Sequence, residues 1–122
     1  MTIPYKRPWR ATTREEGIHI AICDHLRLRA KRGVLWLHVP NGEWRSKATA
    51  AKLKKMGVIA GASDLLLWHR GKFFALELKT DRGRASDAQL SFMAKFNEAG
   101  GHTAIAHGID SALIALQGWG LI

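Results

Sequence analysis

Two apolar runs, Leu65-Leu66-Leu67-Trp68 and Phe73-Phe74-Ala75-Leu76-Glu77-Leu78, flank Arg70-Gly71 and restrict the fold more than any other stretch of the chain. Core-seeking runs of this length around a glycine-containing turn read as a β-hairpin. With Arg70 and Gly71 as a two-residue loop, His69 faces Lys72 and paired residue numbers sum to 141, which sets Asp64 directly opposite Glu77. Directly opposed Cβ atoms lie about 4.5–5.5 Å apart, and like charges there are destabilising. A divalent cation between the two acids relieves the conflict, because hard ions such as magnesium take carboxylate oxygens. Lys79 lies two residues beyond Glu77 and therefore shares its face. A turn of odd length would shift the pairing by one and send the two acids to opposite faces.

The surroundings decide between a cation site and an ordinary surface ion pair. Leu66, Trp68, Phe73 and Ala75 make the carboxylate side of the hairpin apolar, and Leu65, Leu67, Phe74, Leu76 and Leu78 do the same for the other side. Strands apolar on both faces belong in the middle of a covered sheet. Charges at their end are then partly buried, and buried charges are rare unless paired or bound to metal. The competing reading, a frayed Glu77–Lys79 pair with Asp64 as a turn residue, does not account for this setting.

At 122 residues and 47% apolar content the chain fits one ordinary domain. The single cysteine, Cys23, cannot form an internal disulfide, and no Cys-x-x-Cys pair is present for zinc. Without a signal-like or membrane-spanning stretch, a soluble, intracellular, cytoplasmic protein is expected. A net charge of +9 points to a polyanionic partner. Nucleic acid is preferred to a membrane, since no basic amphipathic helix with a broad apolar face stands apart from the core.

Residues 1–12 lack periodicity and read as a basic arm, leaving 13–122 as a single domain. A helix is predicted from about Thr13 to Arg32, with Ile18, Ile22 and Leu26 forming one apolar stripe. Val34 to Val39 reads as a strand stopped by Pro40-Asn41-Gly42. Ser46 can cap a basic helix running to Met56 and ended by Gly57. After the hairpin, Ser86 opens a helix toward Gly100, His102 to His107 forms a last strand, and Asp110 can cap a closing helix. The order α-β-α-β-β-α-β-α implies an α/β architecture of the mixed α+β kind, with about four strands flanked by helices.

Gly61-Ala62-Ser63-Asp64 followed by Glu77-Leu78-Lys79 resembles the PD-(D/E)XK nuclease superfamily, whose defining pattern is an Asp and then Glu-x-Lys. The flanks resemble its VRR-NUC (virus-type replication-repair nuclease) branch: Val39-Pro40-Asn41-Gly42, Lys54-Lys55-Met56-Gly57, Gly61 through Leu67, Leu76 through Thr80, and Gly83-Arg84-Ala85-Ser86 with Gln89 and Phe92. The resemblance spans roughly residues 13 to 120. Ser63 departs from it, standing where the superfamily name has proline.

The resemblance implies a magnesium- or manganese-dependent DNA endonuclease acting on branched or flapped structures, of the replication, repair or recombination type. It also suggests a phage-encoded protein acting in a bacterial host. Asp64 and Glu77 would be metal ligands, joined by the Leu78 main-chain carbonyl, and Lys79 would be the catalytic lysine. Family members place a further glutamate on the first helix. Glu15 is favoured over Glu16 because it lies on the line of Ile18, Ile22 and Leu26, although Thr12 with Glu15 and Thr13 with Glu16 both fit a capping box. Gln89, three residues after Ser86, combines a capping-box position with a supporting polar role at the catalytic site. Arg45, Lys52, Lys54, Lys55, Arg82 and Arg84 are the candidates for phosphate contacts. His19 with Cys23 makes half a zinc site at most, and His19, His38, His102 and His107 are read as packed or solvated. The alternative function is a non-catalytic, basic nucleic-acid-binding module on the same fold. A homodimer is expected from the small size of the chain.

Overall fold

The computed structural model describes residues 14–40 and 46–122. Eight elements follow in the expected order: α1 Glu15–Arg29, β1 Leu35–His38, α2 Lys47–Lys55, β2 Leu65–His69, β3 Lys72–Lys79, α3 Asp87–Glu98, β4 His102–His107 and α4 Ile109–Gly118. The strands form one open mixed sheet in the order β1-β2-β3-β4. β1 and β3 each run antiparallel to β2, and β4 lies parallel to β3 after the α3 crossover. The basic arm proposed for 1–12 falls outside the described residues.

The hairpin takes the even register. His69 pairs with Lys72 and Leu65 with Leu76, so residue numbers sum to 141 along the whole ladder. Arg70 has φ 51° and Gly71 φ 79°. Positive φ at both central residues is what a two-residue type I′ turn requires, and its twist matches that of the strands.

The main core lies on one face of the sheet. Ile18, Ile22 and Leu26 of α1 and Ala112 and Leu116 of α4 pack on Leu65, Leu67, Phe74, Leu76 and Leu78. Burial of each such aliphatic side chain contributes roughly 1.5–3 kcal/mol. The opposite face is covered at β3, where Phe96 of α3 meets Phe73 edge-on with ring centroids 5.2 Å apart. Toward β1 it is less covered than the sequence predicts, for Leu35, Leu37 and Trp68 are exposed. The basic helix α2 buries none of its residues. Its apolar positions are chiefly alanine, leaving little to anchor it.

Helix starts divide into two groups. Ser46 and Ser86 cap α2 and α3 as expected, accepting hydrogen bonds from the Thr49 and Gln89 amides. The caps expected for α1 and α4 are different. Arg14 is the N-cap of α1 and makes no side-chain cap bond, so neither Glu15 nor Glu16 stands at the third position a capping box needs. Gly108 precedes α4, and Asp110 sits inside its first turn, where a carboxylate still favours the helix dipole.

Candidate active site

At the open end of the hairpin, three elements bring polar side chains against apolar strands. Asp64 is held by three hydrogen bonds. Its main-chain oxygen accepts from the Val39 amide at 3.0 Å and from His38 Nδ1 at 2.8 Å. Its carboxylate Oδ2 accepts from the Leu78 amide at 2.7 Å. The last bond ties the end of β2 to β3 one residue past the facing Glu77, so Asp64 cannot swing out without losing a short charge-assisted bond.

Glu77 is 1% exposed. Gln89 Nε2 donates to its Oε2 at 3.1 Å, while Gln89 Oε1 accepts from the Ser86 amide at 2.8 Å. The capping box of α3 and the support of Glu77 are thus one side chain used at both ends. Lys79, 7% exposed, places Nζ 3.7 Å from Glu77 Oε2 and 4.0 Å from Glu15 Oε1. Glu15, itself exposed, therefore reaches the site from the start of α1 through this ion pair.

Negative charge is in excess here. Burial, and then the hydrogen-bonding and charge of the neighbouring Asp64, push the Glu77 carboxyl up to about 8; Glu15 adds to the rise and Lys79 opposes it. Among the described residues, the buried Glu77 Oε1 meets no hydrogen-bond donor. A proton shared with Asp64, or a cation, supplies what that oxygen lacks. Glu15, Asp64, Glu77 and Gln89 also line an open cavity of about 270 Å³, together with Gly61, Ala62, Ser86 and Ala88. An all-oxygen donor set, an unsatisfied carboxylate oxygen and room beside it fit a hard divalent ion. Leu78 takes part through its amide, and the Ser63 hydroxyl is buried without a partner among the described residues.

The other candidates that are described lie on exposed surface. Arg82 and Arg84 are exposed on the loop that joins Lys79 to Ser86, and Lys52, Lys54 and Lys55 lie on α2, which buries none of its residues. Arg45 falls outside the described residues. Two histidines that the sequence reading sets aside stand beside Asp64. The rings of His19 on α1 and His38 at the end of β1 meet edge-on with centroids 4.2 Å apart. Burial and then the neighbouring His38 hold His19 below the ordinary imidazole value, with Asp64 pulling the other way. A linear reading shows only that His19 follows Glu15 by one helical turn and that His38 ends a strand. Their meeting depends on how α1 crosses β1.

A mixed sheet with an Asp and a Glu-x-Lys on its central hairpin defines a domain of the nuclease class. The family model for the VRR-NUC domain matches residues 13–110, and the chain belongs to that family. A solved structure described as a VRR_NUC domain protein shares the fold with a TM-score of 0.69, at 22% identity over 84% of each chain. No curated protein matches the sequence.

Proposed function

We propose that the chain is a magnesium- or manganese-dependent endonuclease that hydrolyses phosphodiester bonds in DNA, selective for branched or flapped structures. The observation that carries this reading is the buried, hydrogen-bond-deficient Glu77 carboxylate facing Asp64, with Lys79 Nζ 3.7 Å from it. Asp64, Glu77 and the Leu78 carbonyl would hold the ion, with Glu15 completing the set from α1. When bound, such an ion supplies Lewis-acid stabilisation of phosphoryl oxygens and acidifies water.

The protein's own groups supply positioning and charge. Lys79, kept at the site by Glu77 and Glu15, neutralises negative charge that develops on the phosphoryl group or orients the attacking water. Gln89 holds the Glu77 carboxylate through Oε2 and leaves Oε1 to other partners. Arg82 and Arg84 beside the site, together with Arg45, Lys52, Lys54, Lys55 and the arm at 1–12, would follow the phosphate backbone, setting position without reading sequence. No described helix is long and apolar enough to cross a membrane, and on this reading the protein works on DNA inside a cell, as a homodimer.

The test incubates the protein with flap, nicked and four-way-junction DNA in Mg2+, Mn2+ or chelator, beside Glu77→Ala and Lys79→Ala. Metal-dependent cleavage should fall by roughly two to three orders of magnitude in either variant, with sedimentation reporting the oligomeric state. Binding without cleavage in any metal would favour the non-catalytic module. Cleavage that survives both substitutions would remove these residues from the mechanism.

A further inference from the structure

His19, His38 and Asp64 come from three parts of the fold and form a cluster whose ligand atoms all lie within 4.8 Å of one another. We propose that they bind a borderline transition-metal ion, of the Zn2+ or Co2+ kind, at a site distinct in chemistry from the oxygen-lined one. The site stands on its own ligands; that its Asp64 is shared with the cleavage centre rests on the nuclease reading above.

The hydrogen bonds prepare the donors. A main-chain carbonyl can only accept, so the 2.8 Å contact between His38 Nδ1 and the Asp64 oxygen places the proton on Nδ1. Nε2 of His38 then carries the lone pair. Ligating histidines are commonly held through the second ring nitrogen in this way, which fixes both tautomer and ring orientation. His19 is half-buried on the same helix as Glu15, and its ring lies edge-on against His38. On Asp64, Oδ2 is engaged by the Leu78 amide and the carboxyl also contacts Glu77, so an ion here competes with that second contact. Ligands about 2.1 Å from a tetrahedral ion stand roughly 3.4 Å apart, so binding would draw the three side chains inward from their spacing of up to 4.8 Å.

The donor types select the metal. Two imidazoles and one carboxylate, with a fourth position left to solvent, suit zinc and its neighbours, whereas magnesium holds oxygen ligands and waters. An ion here would sit against the Glu77 centre with Asp64 between the two, so the chain would take two ions of unlike preference side by side.

Cobalt reports this directly, through visible d–d absorption and without DNA. The metal-free protein is titrated with Co2+ in excess Mg2+, which occupies oxygen sites. Wild type and Glu77→Ala should both bind Co2+ and release it to Zn2+. His19→Ala and His38→Ala should weaken binding at least about tenfold, and His102→Ala and His107→Ala should not. His19→Phe retains an aromatic edge against His38 and should lose Co2+ while keeping its circular dichroism spectrum. Wild-type Co2+ affinity in His19→Phe and His38→Ala would overturn the site, as would loss of Co2+ binding in Glu77→Ala. Failure of cleavage in Mg2+ would sink the nuclease reading and leave this titration unaffected.

Discussion

Glu77 is a carboxyl group whose ionisation is opposed by burial and by two neighbouring acids and favoured by one lysine. Its folded-state value of about 8 stands above the ordinary 4.5. Between those values the native state keeps a proton that the unfolded chain has released, so this group's contribution is fully present below 4.5 and is lost as pH rises through 8. The lowered His19 acts in the opposite direction, and comparison with a Glu77 variant isolates the carboxyl. Thermal unfolding without metal should show stability falling across this window in wild type relative to Glu77→Gln. Added Mg2+ should flatten the difference, because a cation favours the carboxylate. At this scale the sequence is informative where chemistry is local. Asp64 and Glu77 can be set opposite each other because a two-residue turn converts linear distance into register. His19 and His38 cannot be joined in this way, because no local rule connects a helix face to the end of a strand nineteen residues on.

Among elements, the N-terminus of α3 and the loop before β2 form the two walls of the cavity, and Gly61 is where they touch. A Cβ at Gly61 would stand 2.4 Å from the Ala88 carbonyl carbon and oxygen, and its φ of +81° disfavours any side chain. Gly61→Ala should therefore destabilise the protein by at least about 2 kcal/mol and reduce cleavage, although it removes no charged group. Denaturant unfolding and Mg2+-dependent cleavage measure the two effects. The Ser86–Gln89 box is legible because both partners lie within one turn of helix. The start of α4 is not, since Gly108 donates its amide to the Lys79 carbonyl at 2.9 Å, a contact made only after β4 has aligned with β3. Asp110 carries the stronger local signal, and the sheet overrides it.

For the whole molecule, a net charge of +9 is carried in part by lysines that the fold leaves free of the core. Lys52, Lys54 and Lys55 are exposed on a helix with no buried residue. Replacing all three with alanine should leave thermal stability within about 0.5 kcal/mol while weakening DNA binding. The slope of log affinity against log salt should become shallower by roughly one unit for each phosphate that is no longer neutralised, measured by fluorescence anisotropy. Charge in the sequence points to a polyanion, but which face it occupies depends on the α2 helix lying outside the core. The hairpin turn, Arg70-Gly71, lies at the far end of β2 and β3 from the two acids. A hairpin that closes from its turn joins five residue pairs before Asp64 and Glu77 meet, and the same end is the first to part when the strands fray. The proposed reactive centre therefore sits at the seam of the protein's central ribbon, and any ion shared by its acids would also serve as the clasp that keeps that seam shut.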